Sequence, residues 1–481
     1  MEHVRETGVL VIGGGPAGLF CAISCGLGGR SVVLLEKMPS CGRKLLITGS
    51  GQCNLTHEGD ISDFFIRYGD HGKFIRPALK NFTNRDLVTF FESRGLPMVT
   101  LPGGKIFPRS MKASDVLATL LAECGRAGVD LRCGERVCGV TRKEGKFLVS
   151  TQQPGRGGRN STTICEDPGR RSGRTGLQGD WRNNVAEQGR TPGTPGSTAG
   201  FLRDGAASVS PEKGGDDPRV YSADHLVLAT GGASYPSTGS TGDGYDMMRA
   251  LGHPVTEIGP ALVPVVVERY PFADLAGISF GGVGIAVFRS GRKLTDRTGD
   301  LLFTHEGLSG PGILDLSRYL RPGDQLRVSF LPGRSREAVE EFLIGVLGKD
   351  GSRQVRNVLR EMNLPERFAR RLPDLAGIPP DRTCAHVTRK ERNDLMDMIT
   401  GFPFSVRDLA GFDQAMVTRG GAALEAIDPR TMGSRPVPGL SIIGEALDID
   451  GDTGGYNLQA AFSTAALAAA ALSGRQGQVS P

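Results

Sequence analysis

The sequence lacks several features that would narrow its function at once. Its nine cysteines form no C-x-x-C pair and no zinc-ligand spacing, which leaves no local dithiol and no metal site to read from spacing. No apolar run is long enough to span a bilayer. The first strand-like run begins by Val9, too early to follow a signal peptide. Lys and Arg are scattered rather than blocked, so a net charge of +5 over 481 residues gives no reason to expect nucleic acid or membrane as a partner. Cys21, Cys25 and Cys124 fall on apolar helical faces and read as small core residues. The expectation is a soluble, cytoplasmic protein of a reducing compartment.

What is present starts at the N-terminus. Val9 to Ile12 is a continuous apolar run of the kind found in buried parallel strands. Gly13-Gly14-Gly15-Pro16-Ala17-Gly18 follows, and Gly13, Gly15 and Gly18 fill the positions of a G-x-G-x-x-G turn. An apolar helix from Leu19 to Leu27 comes next, then a second strand-like run, Ser31 to Leu35, that ends on Glu36. Gly13 permits the tight turn, Gly15 lets the backbone approach a pyrophosphate, and Gly18 lets helix and strand pack closely. The helix start offers free N–H groups and a positive dipole end. Glu36 can accept hydrogen bonds from an adenosine ribose and would repel a 2′-phosphate, which disfavours NADP here. Strand, glycines, helix, strand and acid in register predict a dinucleotide site.

The loop after Glu36 carries Lys37, Cys41, Arg43, Lys44, Cys53 and Asn54 among glycines and small polar residues. Such a loop lies over a bound nucleotide, where Arg43 and Lys44 can meet phosphate or a flavin edge. Arg76 to Arg94 reads as a helix, Lys105 to Pro108 as extended, and Ser114 as the cap of a helix through Cys124. Val129 to Arg132 reads as a third parallel strand; Arg136 to Thr141 and Lys146 to Thr151 alternate like a hairpin. From Gln152 to about Pro218, Gly, Arg, Ser, Thr and Pro dominate, predicting a disordered excursion of no chemical consequence.

Order returns with His225 to Leu228 and Ala229-Thr230-Gly231-Gly232, a strand whose glycines reapproach the dinucleotide in FAD domains of the glutathione-reductase type. Short strands follow at Val265 to Val267, Gly282 to Phe288, Lys293-Leu294, Leu301 to Phe303 and Gln325 to Phe330, a pattern of barrel or sandwich. Helical patterns at Ser335–Leu347, Arg353–Met362, Pro365–Leu372 and Arg389–Ile399 interrupt it, and strand character returns at Gln414 to Thr418. A last buried strand, Leu440 to Ile443, leads to Gly444 and Glu445. Gly454-Gly455 then opens a helix at Tyr456, Asn457 and Leu458. That helix start would stabilise negative charge on a reduced flavin, and Glu445 would meet the ribityl chain.

Together these stretches resemble the BaiN-like (YhiN-like) family of FAD-dependent flavoproteins, also catalogued as NAD(P)/FAD-dependent oxidoreductases or an aminoacetone oxidase family. The resemblance is carried by the opening Gly-Gly-Gly-Pro-Ala-Gly, Gly42 to Ile47 with Cys53-Asn54-Leu55-Thr56, and Ile106-Phe107-Pro108. It continues through Ala229 to Ser234, Phe303 to Pro311, Val417 to Gly421 and Gly444 to Gln459. It implies an α/β architecture: a Rossmann-like FAD domain from both ends of the chain, with an inserted β-barrel that itself carries a small helical module. The expected boundaries are 1–261 and 432–481 for the FAD domain, 262–333 and 389–431 for the barrel, and 334–388 for the helices. The family commonly has Gly-Gly-Gly-Arg-Cys-Asn where this chain has Gly49-Ser50-Gly51-Gln52-Cys53-Asn54, so one positive charge near the cofactor is absent.

Flavin would carry the redox chemistry. A second dinucleotide domain is not visible, so either NADH or NADPH docks transiently as donor or the organic substrate reduces the flavin. The favoured reading is an FAD oxidoreductase acting on a small or hydrophobic organic molecule, by reducing a C=C bond or oxidising an amine. A flavin disulfide reductase and a non-catalytic or RNA-associated flavoprotein are the alternatives. His305, in Thr-His-Glu-Gly-Leu-Ser-Gly-Pro, is the acid–base candidate because imidazole titrates near neutrality.

Overall fold

The computed structural model describes residues 4–152, 219–331, 333–349, 351–362 and 364–474. The expected disorder from Gln152 to Pro218 falls, but for Gln152 itself, outside the described residues.

The N-terminal apolar run becomes β1 (Val4–Ile12), the centre of a seven-stranded sheet. The chain turns into α1 (Pro16–Leu27) and returns as β2 (Val32–Glu36), parallel to β1 with Val9 opposite Val32 and Ile12 opposite Leu35. The short α2 (Arg43–Ile47) and β3 (Thr56–His57) follow, then α3 (Gly72–Asn81) and α4 (Asn84–Glu92). The single helix expected over Arg76–Arg94 is thus two. Thr83 ends the first by capping the second: its hydroxyl accepts from Asp86 N–H and the Asp86 carboxylate accepts from Thr83 N–H. β4 (Met98–Thr100) and β5 (Lys105–Pro108) form a small sheet with β3. In α5 (Ala113–Arg126) the cap position is Lys112, and Ser114 instead donates to the Asp115 carboxylate, because the helix starts two residues earlier than a serine cap requires.

β6 (Asp130–Cys133) lies parallel beside β2, and the hairpin of β7 (Arg136–Lys143) and β8 (Lys146–Gln152) follows. β9 (Arg219–Leu228) then re-enters the sheet centre, parallel to β1 along its length. Its first half pairs with β8 and its last residues with a strand from the far end of the chain. Val9, Leu10, Val11, Leu226, Val227 and Leu228 are fully buried, as an unbroken apolar run requires when both sheet faces are covered.

After α6 (Asp243–Ala250) and β10 (Gly259–Ala261), the chain builds a closed barrel. Its strands are β11 (Val265–Val267), β12 (Ser279–Arg289), β13 (Arg292–Phe303), β14 (Gly307–Ser309), β15 (Gln325–Ser329) and, after the helices, β16 (Phe402–Leu409). α7 (Pro311–Leu316) lies between β14 and β15. The two short strands expected at Lys293–Leu294 and Leu301–Phe303 are one, β13. Four helices intervene before β16: α8 (Arg336–Lys349), α9 (Val355–Val358), α10 (Glu366–Leu375) and α11 (Arg389–Gly401). They close the barrel's core with Phe368, whose ring sits 4.5 Å from that of Phe330. The strand expected near Gln414 is β17 (Val417–Arg419), which pairs with β10 and not with the barrel. β18 (Leu440–Ile442) then completes the first sheet beside β9, and α12 (Tyr456–Leu472) packs against α1. α12 is buried nearly throughout, and its alanines allow that close approach.

Candidate active site

The ends of β1, β2 and β9 open onto one cavity. Gly13, Gly15, Pro16 and Ala17 form one wall, Glu36 another, and Arg43, Lys44, Thr230, Gly231, Gly444, Glu445, Asn457 and Leu458 complete it. The two ends of the chain meet because β18 returns to the sheet one strand from β1.

The turn is built as its glycines require. A methyl group on Gly18 would collide with the Gly13 carbonyl, so helix and turn pack in direct backbone contact. A methyl on Gly15 meets no protein atom within 4 Å: its open side faces the cavity. No side chain caps α1, whose first residue is Pro16, so its first-turn N–H groups are left for a ligand. The Glu36 carboxylate accepts from Gly14 N–H and Met38 N–H, both at 2.8 Å. This fixes its orientation and leaves lone pairs for a ribose.

Lys37 is turned away from the cavity; its ammonium bonds Thr241 at 2.6 Å and Asp243 at 2.8 Å. Arg43 is exposed at the rim, with no protein partner for its guanidinium among the described residues. Lys44 pairs instead with Glu445 at 2.8 Å and with Ser234 at 2.5 Å. Glu445 also accepts from the Ser234 hydroxyl at 2.7 Å and from Thr418 N–H at 3.0 Å. Gly232 stands behind this knot, where a side chain would strike the Thr418 hydroxyl.

Cys53 is fully buried and does not line the cavity. Burial pushes its thiol up to about 12 against an opposing hydrogen bond involving Thr48. Among the described residues it has no thiol partner. Asn54 reaches the start of α12, where its carboxamide oxygen accepts from Gly455 N–H at 3.1 Å. Gly455 has φ +95, and a Cβ on it would lie 2.7 Å from the Thr56 backbone, so no other residue fits there. Tyr456 faces away from the cavity, stacked on His57 and accepting from Tyr68 through its carbonyl. Asn457 holds the Gly451 peptide at both ends, at 2.8 and 2.9 Å. His305 is exposed in the turn between β13 and β14 and does not line the cavity.

Met416, Val417 and Ile449 add an apolar side to the cavity that the sequence did not disclose. Nor did it disclose a charged seam beside α12. Arg297 of β13 bonds Asp452 at 2.5 Å and Asp315 at 3.2 Å, and Arg318 bonds Asp450 at 3.1 Å and Asp452 at 3.2 Å. Burial raises Asp315 and Asp450 above the ordinary aspartate range, against the pull of these arginines. The seam anchors the 450–453 segment, and with it the start of α12, to the barrel.

A family model described as the HI0933-like protein Rossmann domain matches residues 7–195 and 204–471. The chain belongs to the HI0933-like family. Its members of the BaiN/YhiN type are FAD-dependent oxidoreductases, and this chain is an FAD-dependent oxidoreductase. It is 28% identical to the 3-dehydro-bile acid delta(4,6)-reductase of Clostridium scindens, over 97% of this chain and 98% of that one. It is 27% identical to the ribosomal RNA dihydrouridine synthase of Escherichia coli, over 95% of each. A solved 3-ketosteroid-delta4-(5alpha)-dehydrogenase from Rhodococcus jostii aligns over 97% of both chains with 14% identity and a TM-score of 0.47.

The HI0933-like site fits FAD on its own geometry. An uncapped helix start faces the open side of Gly15, and a fixed carboxylate ends β2. A second helix start, at Asn457 and Leu458, borders the same cavity. Among the described residues no helix is long and apolar enough to cross a membrane.

Proposed function

We propose that this oxidoreductase reduces a carbon–carbon double bond conjugated to a carbonyl in a small, hydrophobic ring compound. The observation that carries the reading is the cavity's division. One side is polar and built for a dinucleotide, and the other, at Met416, Val417, Ile449 and Leu458, is apolar. Met416 is half exposed there, an apolar surface at the opening of a polar site. The relatives' names support the same chemistry. A delta(4,6)-reductase and a dihydrouridine synthase both saturate a ring double bond conjugated to a carbonyl.

FAD, when bound, would accept two electrons from a nicotinamide and pass them to the substrate. The chain's own residues would do the rest. The first turn of α1 would hold the pyrophosphate, Glu36 the adenosine ribose, and the unpartnered Arg43 a phosphate oxygen. Asn457 and Leu458, at the positive end of α12, would favour negative charge on the reduced ring. Lys44, held by Glu445 and Ser234, is a cation placed at the cavity, suited to polarise a carbonyl.

Anaerobic turnover with NADH or NADPH distinguishes the substrates. A fused-ring enone probe and a uridine-containing ribosomal RNA are offered separately, with products analysed by mass spectrometry. The reading expects the enone to gain H2. Saturation of uridine alone would replace the small substrate with RNA, and oxidation of an amine with neither would overturn the reading.

A further inference from the structure

The thiols of Cys41 and Cys133 lie 3.6 Å apart although 92 positions separate them. Cys133 ends β6 and is partly exposed, while Cys41, in the loop after β2, is buried. Two backbone bonds fasten that loop to the residues after β6: Gly134 N–H donates to Met38 O at 2.9 Å and Glu135 N–H to Glu36 O at 3.0 Å. On its other side Cys41 touches the nucleotide-binding turn. A methyl built on Gly14 would lie 2.5 Å from Cys41 Sγ, and Gly42 N–H donates to Gly14 O at 2.9 Å. The same loop supplies Ser40, Gly42, Arg43 and Lys44 to the cavity wall.

We propose that Cys41 and Cys133 form a reversible redox site whose disulfide clamps the loop over the bound cofactor. The oxidant class is a peroxide. The partly exposed Cys133 sulfur attacks one oxygen of hydrogen peroxide, the O–O bond breaks, and the leaving oxygen departs as water. The Cys41 sulfur then attacks the Cys133 sulfur, the S–O bond breaks, and a second water leaves. Two thiols lose two electrons and two protons, and one peroxide becomes two waters. Closing 3.6 Å to a bond of about 2.0 Å asks for side-chain rotation rather than a new backbone path. The hydrogen bond from Cys41 holds Cys133 below the ordinary thiol range, which suits it to react first. This dithiol lies beside Gly14 and Glu36. The loop forms part of the cavity wall, so a cross-link to β6 would oppose its opening for cofactor release. The clamp rests on the reading that the cavity holds FAD; the thiol pair does not.

The test treats holoenzyme with hydrogen peroxide, blocks remaining thiols with N-ethylmaleimide, and maps disulfides by mass spectrometry without reduction. FAD release is followed by the recovery of flavin fluorescence on dilution. A Cys41–Cys133 linked peptide is expected, with FAD dissociation slower on the order of tenfold. Dithiothreitol should reverse both, and Cys133→Ser and Cys41→Ala should each abolish both. Oxidation confined to the exposed Cys138 would overturn the redox site. A link that forms while FAD leaves at its former rate would overturn the clamp. A link in protein that binds no FAD would uphold the thiol pair while removing the cofactor reading.

Discussion

Gly15→Ala separates a cofactor turn from a merely structural one. Gly15 caps α1 with φ −78 and ψ −180, a conformation alanine adopts without strain, and its added methyl meets no protein atom within 4 Å. Two small effects on folding oppose each other. Alanine narrows the unfolded ensemble, worth about 0.4–1 kcal/mol, and is a poorer helix cap than glycine by a similar amount, roughly 0.5–1 kcal/mol. The apo protein should therefore keep its stability within about 1 kcal/mol. The methyl projects into the cavity, however, where a pyrophosphate must approach the backbone. Losing one charge-assisted bond to a first-turn N–H costs about 1.5–3 kcal/mol, so FAD affinity should fall roughly 10- to 100-fold. Urea unfolding of the apo protein and a fluorescence titration with FAD measure the two quantities. Gly18→Ala is the contrast: its methyl strikes the Gly13 carbonyl, so it should lower stability itself by about 1–3 kcal/mol. Unchanged FAD affinity in Gly15→Ala would refute the assignment of the phosphates to this turn.

Glu445→Gln leaves the Lys44 ammonium without its counter-charge and should cost about 1–3 kcal/mol in urea unfolding, partly restored in the double variant with Lys44→Met. Arg297→Met leaves the buried Asp315 carboxylate without its arginine, while Asp452 keeps Arg318, and should cost roughly 2–4 kcal/mol by the same assay. Asp324 is buried, which opposes its ionised form, but bonds from Arg289 and the Arg321 N–H outweigh burial and hold its carboxyl below the ordinary range. Its folded pKa being depressed, its contribution is present above the unfolded value and is lost as pH falls through the folded one. Asp324→Asn should thus be the less stable protein at neutral pH, and the two unfolding curves should converge under acid.

The nucleotide-binding end was legible because its signals are local. An apolar run, spaced glycines and a terminal acid declare β1, α1 and β2 within 36 residues, and Leu440 to Leu458 repeats such a pattern. The closing barrel strand β16 was not legible: Pro403 and short alternation directly after a helix mask it. Lys37 and Tyr456 lie beside true cavity residues in sequence, but side-chain direction turns them to Asp243 and His57. The seam of Arg297, Asp315 and Asp452 and the thiols of Cys41 and Cys133 were illegible for one reason. Their partners lie from 18 to 155 positions apart, and only the folded sheet and barrel bring them together. His305 stands exposed in the β13–β14 turn and does not line the cavity, a placement its local motif does not encode.

The most direct measurement is an anaerobic visible spectrum of the purified protein with stoichiometric FAD, taken before and after NADH or NADPH and again after a fused-ring enone. The account expects the flavin spectrum to be perturbed on binding, bleached by a nicotinamide, and restored by the enone without oxygen. A spectrum identical to that of free FAD, or one that no enone restores after bleaching, would contradict it.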